Sequence, residues 1–261
     1  MKLLINYSDK NFTKAQQLNT TTGYEIAGFD KVIEYSPDDI DSEFKEKNKK
    51  ILGYSRGGGY WLWKPYIIRK ALDLIGEADY LFYADSGSIF VNSIDPLIEL
   101  QKREKQDIIP FELRFMEKQY TKRDALVLMD CDEPKYTESF QRLAGYNLIK
   151  KTDFSTRFIN EFLNFACDER IITDKLNSCG LEEYPEFIEH RHDLSIFSLL
   201  TKKYGLKAFR DPSQFGKGLE NLYPDSDYPM ILESTRKSNS RIKRSMIKRI
   251  EKIMWHIKNK F

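Results

Sequence analysis

One carboxylate stands at the point where an apolar run ends. Residues Tyr80–Ala84 read as a buried strand, and Asp85, Ser86 and Gly87 follow it directly. Ligands of open α/β sheets bind beyond the carboxyl ends of the strands, and a glycine there lets the backbone approach a ligand closely. Asp85 is therefore a candidate to hold a metal ion or a ribose hydroxyl. The alternative is an Asp in a tight turn or at a helix cap.

A segment rich in glycine and aromatic residues spans residues 56–65. Its sequence is Arg-Gly-Gly-Gly-Tyr-Trp-Leu-Trp-Lys-Pro, with two of the three tryptophans of the chain. Glycines permit close approach to a diphosphate, Arg56 or Lys64 could neutralise it, and the rings could stack on a base or a sugar. The spacing matches neither a dinucleotide fingerprint nor a P-loop. The alternative is a loop before a helix, with Trp61 and Trp63 in the core.

Two of the three histidines lie in a short cluster at residues 189–193, Glu-His-Arg-His-Asp, just before an apolar run. The side chains of His190, His192 and Asp193 could supply a metal ligand, a phosphate contact and a carboxylate that faces a substrate. The alternatives are that Asp193 is only a helix N-cap and that each histidine is a structural residue with satisfied hydrogen bonds.

Strands that alternate with helices must position these residues. The sequence predicts strands at 2–6, 31–35, 80–84, 107–111, 125–129 and 147–150. It predicts helices at 65–75, from Asp95 onward, at 155–167 and at 193–204. This order favours an α/β fold with a mostly parallel sheet flanked by helices. Because no internal repeat or low-complexity linker interrupts it, residues 1–235 are predicted to form one domain.

The composition is that of a globular protein. Of the 261 residues, 41% are hydrophobic, which is enough to fill one sizeable core. The three cysteines lie far apart, without the close pairs of zinc or redox sites, so a reducing compartment is expected. The first residues lack the apolar core of a signal peptide, and no stretch approaches the roughly 20 apolar residues of a membrane span. A cytoplasmic location is predicted.

The last 26 residues differ in charge from the rest. Residues 236–261 hold ten Lys or Arg and one acid, whereas the other 235 hold 32 basic and 39 acidic residues. Apolar residues recur on one helical face at Ile242, Met246, Ile250, Ile253 and Ile257. We predict a basic amphipathic helix that lies on an anionic membrane surface, the inner face of the cytoplasmic membrane. A helix docked on the acidic body is the alternative, and nucleic acid is not expected because base-stacking aromatics are few.

Taken together, these segments resemble known glycosyltransferases. Residues 79–100 are similar to the donor-site strand and following helix of GT-A glycosyltransferases, especially the glycogenin-like and lipopolysaccharide glucosyl- and galactosyltransferase group. Bacterial capsule and O-antigen glycosyltransferases are more similar still, in residues 56–65, 171–175, 190–196 and 209–216. The resemblance spans about residues 1–218. It implies the GT-A fold and transfer of a hexose from a nucleoside-diphosphate sugar, with a UDP-sugar favoured. The implied acceptor is a capsule, O-antigen or lipopolysaccharide glycan or a lipid-linked glycan.

The resemblance also implies roles for individual residues. Asp85 matches the first Asp of the family's Asp-x-Asp motif, and Gly87 stands where the second would be. Asp193 and Asp85 are the implied catalytic residues, Asp193 as the base if the reaction inverts configuration and as a group that orients the sugar if it retains it. The implied donor-binding residues are Tyr7, Arg56, Gly59, Trp63, Lys64, Asp85, Ser86, Gly87, Gly145 and His192.

A divalent cation is the expected cofactor. Mn²⁺ or Mg²⁺ would be held by Asp85 together with the donor diphosphate, with His190 or His192 completing the ligand shell. Two other functions use the same features. A metal-dependent nucleotide-sugar phosphohydrolase would direct Asp85 and the histidines at water, and a non-catalytic membrane-peripheral protein would act through its basic tail. Products separate the enzymes, because only glycoside formation requires an acceptor.

Overall fold

The computed structural model describes residues 1–235, so the helix predicted for residues 236–261 lies outside the described residues. The strands are β1 Lys2–Tyr7, β2 Lys31–Tyr35, β3 Tyr80–Ala84, β4 Ser88–Phe90, β5 Ile108–Ile109, β6 Glu112–Met116, β7 Phe140–Arg142, β8 Tyr146–Lys150 and β9 Leu232–Ser234. The α-helices are α1 Thr13–Thr22, α2 Ser42–Lys47, α3 Lys49–Leu52, α4 Gly57–Tyr60, α5 Trp63–Leu72, α6 Asp95–Glu104, α7 Glu117–Tyr120, α8 Arg123–Leu128, α9 Pro134–Thr137, α10 Asp153–Ala166, α11 Glu169–Ile172 and α12 Asp193–Lys203. A π-helical turn covers Gly23–Ala27, and 3₁₀ turns cover Pro37–Asp39, Gln214–Gly216 and Glu220–Leu222.

The central sheet has five strands in the order β2-β1-β3-β8-β5. Strand β1 pairs in parallel with both β2 and β3, and β8 runs antiparallel to its neighbours β3 and β5. The sheet is therefore mostly parallel, as predicted. From β1 the chain crosses to β2 on one side and later returns to β3 on the other. This reversal opens a crevice at the carboxyl ends of β1 and β3, the place where α/β sheets bind ligands.

Both faces of this sheet are buried, which is why its central strands are apolar along their length. Alternate residues of β1 and β3 point to opposite faces. Leu3 and Tyr83 join a core that includes residues of α5, α10 and α12, whereas Leu4 and Phe82 join a second core with residues of α6 and β4. The site described below is built where helices of the first core meet the strand ends.

Local signals account for the helices that cover the first core. In α10 the Thr152 hydroxyl accepts a hydrogen bond from the Ser155 backbone N–H, forming a capping box at the start of the helix. Phe158, Ile159 and Phe162 then recur on one buried face. Helix α12 is buried along most of its length, and its first residue is Asp193. The prediction of helices near 155–167 and 193–204 is confirmed.

The strand predicted at residues 125–129 is wrong, because those residues lie in and just after helix α8. A short apolar run fits a buried helix and a buried strand equally well, and periodicity does not separate them. Here Ala125 and Leu126 are fully buried, and the Met129 N–H donates to the Ala125 carbonyl in a helical hydrogen bond. Among residues 1–235, no helix is both long enough and apolar enough to span a bilayer.

Candidate functional site

A buried lysine joins two carboxylates at the crevice. Lys64 lies in the first turn of α5, and its Nζ is 2.6 Å from Asp193 Oδ2 and 3.5 Å from Asp85 Oδ1. The same ammonium donates to the Ala144 carbonyl at 3.3 Å. The side chains of Lys64 and Asp193 are 4% and 6% exposed, whereas that of Asp85 is 50% exposed. Asp85 is therefore the member of this group that a ligand in the crevice can reach.

The electrostatics of the group follow from its burial. Desolvation raises the pKa of Asp193 to about 6, against the opposing attraction of Lys64, and the charge of Asp85 adds to the rise. Burial alone lowers the pKa of Lys64, but the two carboxylates outweigh it and the pKa is raised. Lys64 is thus a permanent cation, and Asp193 changes charge near pH 6.

Asp85 is oriented by residues on both sides of it. The Tyr83 hydroxyl donates to Asp85 Oδ1 at 2.5 Å, and the Asp85 backbone N–H donates to the Gly145 carbonyl at 2.7 Å. Gly145 also leaves space for the carboxylate, because a Cβ there would lie 3.1 Å from Asp85 Oδ2. Oδ1 is held inside by Tyr83 and Lys64, which leaves Oδ2 for a ligand.

The ends of β1 and β3 are tied together at the crevice. The Ser86 hydroxyl donates to the Tyr7 backbone carbonyl, which fixes the loop after β3 against the end of β1. Beside them a cleft of about 430 Å³ opens at the carboxyl ends of β1 and β2, lined by polar groups that include Ser8, Asp9 and Asp38. The predicted donor-binding residues Tyr7, Ser86 and Asp85 therefore lie at one edge of the sheet.

The aromatic and glycine segment serves mainly to build the wall of the site. Trp63 stacks on Tyr7 with ring centroids 3.7 Å apart, and its Nε1–H donates to the Gly57 carbonyl at 2.9 Å. Trp63 is only 6% exposed, so its ring packs in the core. Gly59 has φ +94°, and a Cβ there would lie 2.7 Å from Leu52 Cα, so this glycine is required by packing against α3.

Arg56 and the histidines meet at the rim of the site. The Arg56 guanidinium is 2.8 Å from Asp174 and 3.9 Å from Glu189. His190 Nε2 bonds the Ile171 carbonyl at 2.8 Å, and its Nδ1 accepts from the Lys122 N–H at 3.3 Å, so both ring nitrogens are engaged. Arg56, which was predicted to neutralise a diphosphate, is thus paired with carboxylates here.

His192 stands in a strained stretch of backbone. It precedes α12 with φ 54°, and Tyr60 and Trp61 also have positive φ values, which are rare for residues with a side chain. Both aromatic rings pack on the imidazole, at centroid distances of 4.8 and 5.6 Å. Its Nδ1 bonds the Ile172 carbonyl, and Nε2 lies 3.7 Å from Asp174. His192 therefore supports the turn that places Asp193 rather than lining the crevice itself.

Gly87 connects the motif loop to the end of the described chain. Its carbonyl accepts hydrogen bonds from the Thr235 backbone N–H at 2.7 Å and from the Thr235 hydroxyl at 2.8 Å. Strands β4 and β9 pair next to this contact. The last described residue, Thr235, therefore lies beside the loop that carries Asp85.

The residues around Asp85 can hold a divalent cation only together with a ligand. Among residues 1–235 no group of three or more His, Cys, Asp or Glu side chains is arranged to bind a metal, so Asp85, His190 and His192 do not form one ligand set. However, Mg²⁺ is commonly bound by one or two carboxylates plus substrate phosphates. One ammonium and two ionised carboxylates leave a net charge of −1 here, with Asp85 accessible. This arrangement fits a cation that a diphosphate brings with it.

Two further residues of the site belong to none of the candidate positions named above. Tyr83 lies two residues before Asp85 on β3, and the two-residue period of a strand could have indicated that both side chains share a face. Asp174 lies in the 171–175 segment, but nothing local indicates that it pairs with Arg56.

No family model matches the chain, and no curated protein sequence matches it significantly. Solved structures do match. The crystal structure of the galactosyltransferase LgtC with donor and acceptor sugar analogs aligns with a TM-score of 0.53 and 12% identity, over 98% of this chain and 96% of that one. Mouse xyloside xylosyltransferase 1 aligns with a TM-score of 0.48 and 10% identity, over 93% of this chain and 100% of that one. GlyE of Streptococcus pneumoniae TIGR4 aligns with a TM-score of 0.47 and 13% identity, over 98% and 60%.

At such identities a structural likeness concerns the fold alone, and here it rests on the match to LgtC. The mostly parallel sheet and its flanking helices agree with that likeness. The fold predicted from the sequence is confirmed: this chain has the GT-A fold.

Proposed function

We propose that this chain is a glycosyltransferase that moves a hexose from a nucleoside-diphosphate sugar, with a UDP-sugar favoured, to a bacterial surface glycan or lipid-linked glycan. One observation carries the proposal. Buried Lys64 holds Asp193 inside and half-exposed Asp85 at the mouth of the crevice formed by β1 and β3. The GT-A fold supports it, since the crevice is where such a sheet binds ligands.

The donor is assigned to the crevice and the cleft beside it. In this arrangement the nucleoside occupies the cleft of about 430 Å³ at the ends of β1 and β2, where Asp9 and Asp38 can accept hydrogen bonds from ribose hydroxyls. The diphosphate then reaches Asp85, Ser86 and Gly87 at the end of β3. The sugar lies toward Gly145, whose missing side chain leaves room beside the carboxylate.

The charge of the site supports the cofactor prediction. Because Lys64, Asp85 and Asp193 sum to −1 when ionised, a diphosphate would be repelled without a further cation. We assign Asp85 as the protein ligand of Mn²⁺ or Mg²⁺. The bound ion would supply positive charge for the leaving diphosphate.

The protein residues then act mainly by position and charge. Lys64 holds the two carboxylates in one geometry, so that Asp85 is oriented before the donor binds. Asp193 keeps a negative charge beside the crevice above about pH 6. Such a fixed charge stabilises the positive charge that develops on the sugar ring in the transition state. The burial of Asp193 and its contact with Lys64 favour this role over that of a base.

The first test is Asp85→Ala with a panel of nucleotide sugars, in which mass spectrometry detects product. We expect the wild-type protein to form a glycoside and the variant to lose at least about 100-fold in kcat without unfolding. The control is Asp73→Ala, which removes an exposed carboxylate directly after α5 and should leave the protein active.

A second experiment measures Mn²⁺ binding by the wild-type protein and by Asp85→Ala, by calorimetric titration in the presence of UDP. The wild-type protein should bind the ion and Asp85→Ala should not. Near-normal turnover by a folded Asp85→Ala protein would remove Asp85 from the site. Nucleotide-sugar cleavage without any acceptor product would instead favour the phosphohydrolase.

We further propose that residues 1–235 form the catalytic domain and that residues 236–261 hold it, in the cytoplasm, to an anionic membrane. Residues 236–261 carry ten basic residues. The residue before them, Thr235, bonds the Gly87 carbonyl in the loop that carries Asp85. Each cation near an anionic leaflet is worth about 1 kcal/mol, so several of them suffice for reversible attachment.

The matching test keeps the chain at full length. Changing Lys243, Arg244, Lys248 and Arg249 to Gln should abolish sedimentation with anionic liposomes while activity on a soluble acceptor remains. A protein that lacks residues 236–261 should behave the same way. Equal liposome binding by the wild-type and variant proteins would contradict the anchor.

A further inference from the structure

A second cavity lies away from the crevice, between the paired strands β6 and β7 and the C-terminal end of α12. Its volume is about 330 Å³, and its lining includes Glu112, Tyr136, Arg142 and Lys202. Along α12, at 1.5 Å per residue, Lys202 lies roughly 13 Å from Asp193, so the cavity is separate from the reacting groups.

Arg142 is the unusual member of this lining. Its Nε and Nη1 atoms are buried and have no hydrogen-bond partner among residues 1–235. Its backbone N–H donates to the Ser198 hydroxyl at 2.9 Å. The backbone of the strand is thus fixed by a hydrogen bond, whereas Nε and Nη1 of the guanidinium have none. Burial lowers the pKa of Arg142 to about 10, which still leaves it charged at neutral pH. Nε and Nη1 lie beneath the cavity surface, so a ligand reaches them only when the side chain turns toward the cavity. Buried donors without partners are costly, and pairing with a ligand would remove that cost.

The other charged groups of the cavity already have partners. Lys202 is 2.6 Å from Glu117, and Lys135 is 3.0 Å from Glu133. Glu112 accepts a hydrogen bond from the Tyr223 hydroxyl at 2.6 Å through Oε1. The cavity therefore offers one unpaired guanidinium beside one carboxylate that can accept further hydrogen bonds.

This combination selects the chemistry of the ligand. A guanidinium presents a planar pair of donors that matches a carboxylate. Glu112 repels a doubly charged phosphate but accepts hydrogen bonds from hydroxyls. The rings of Tyr136 and Phe140 in the lining can pack against the apolar face of a sugar.

We propose that this cavity binds a carboxylated sugar, with its carboxylate on Arg142 and a hydroxyl on Glu112. The inference rests on the proposed function for its biological meaning, because such a sugar would be an acidic unit of the acceptor glycan that does not itself react. The binding chemistry stands independently of transfer.

Calorimetry with glucuronate as the probe tests the proposal, with glucose and inorganic phosphate as comparison ligands. We expect the wild-type protein to bind glucuronate more tightly than either. Arg142→Gln should weaken glucuronate binding by roughly 10- to 100-fold, since charge-assisted hydrogen bonds are lost. Arg142→Lys keeps the charge but not the planar pair of donors, and should be intermediate. Arg157→Gln, the same change at an exposed position of α10, should bind as the wild-type protein does.

The outcomes separate this proposal from the proposed function. Arg142-dependent glucuronate binding without consumption of any nucleotide sugar would support the cavity and contradict the transferase. Equal glucuronate affinity in the wild-type protein and Arg142→Gln, with both folded by thermal unfolding, would overturn the assignment. So would phosphate binding as tight as that of glucuronate.

Discussion

Helix α12 contributes to two buried lysine–carboxylate pairs that differ in how their acids are satisfied. At its start Asp193 meets Lys64 at 2.6 Å, and near its end Lys202 meets Glu117 at 2.6 Å. Glu117 also accepts hydrogen bonds from the side chains of Thr121, Gln141 and Ser198. Glu117 is fully buried with four side-chain donors, so it is closed to any ligand.

The pair at the crevice has the opposite character. Within residues 1–235 Asp193 has no such set of hydroxyl and amide donors, and Lys64 is shared with the half-exposed Asp85. Burial lowers the pKa of Lys202, whereas two carboxylates raise that of Lys64 and burial raises that of Asp193 to about 6. A buried acid whose hydrogen bonds are complete stabilises the fold. A buried acid whose hydrogen bonds are incomplete, and which lies beside an open crevice, is available for chemistry.

The largest effect that we predict is a loss of activity, from a substitution in the pair of Asp193 and Lys64. Asp193→Asn keeps the shape of the side chain and removes its charge, so kcat should fall by about 10²- to 10⁴-fold if the charge stabilises the transition state. Steady-state kinetics measures the fall, and circular dichroism checks the fold. If Asp193→Asn retains wild-type kcat, the contrast between the two pairs has no functional meaning.

A substitution in the pair of Glu117 and Lys202 should instead change the stability of the fold. Glu117→Gln leaves the Lys202 charge buried without its partner, which should lower the free energy of unfolding by about 3–5 kcal/mol. Urea unfolding measures this. Activity per folded molecule should stay within a few-fold of the wild-type value, since Glu117 contacts the end of α12 opposite Asp193. A variant as stable as the wild-type protein would show that the network is dispensable.

The pH dependence gives a smaller and graded effect. The folded pKa of Asp193 is raised from 3.8 to about 6, so between these values the folded protein holds a proton that the unfolded chain has lost. Ionisation of Asp193 therefore lowers the free energy of unfolding as pH rises through that window, and the cost is fully present above it. Activity should change in the opposite sense and rise with an apparent pKa near 6. The pH profile of kcat/KM for Asp193→Asn should lack this rise. If the rise is unchanged in the variant, it belongs to the ionisation of another group.

Much of the framework could be predicted from the sequence because its signals are local. The apolar strand β3 ends at Asp85, the capping box before α10 is four consecutive residues, and α12 begins at Asp193 as expected. The failure at residues 125–129 has the same origin. A run of five residues holds too little periodicity to decide between a helix and a strand when both of its faces are enclosed.

The sequence by itself thus determined strands β1, β2, β3 and β8, helices α5, α10 and α12, and which strand end carries Asp85, since hydrophobic pattern and capping act over a few residues. The roles of the polar residues were decided only by tertiary structure. Lys64 pairs with Asp193 and Asp85, and Arg56 pairs with Asp174. Both ring nitrogens of His190 form hydrogen bonds with backbone groups. Whether a polar side chain is satisfied, buried or accessible depends on residues that are far away in the chain, because burial and the partners it brings exist only once the helices have packed on the sheet.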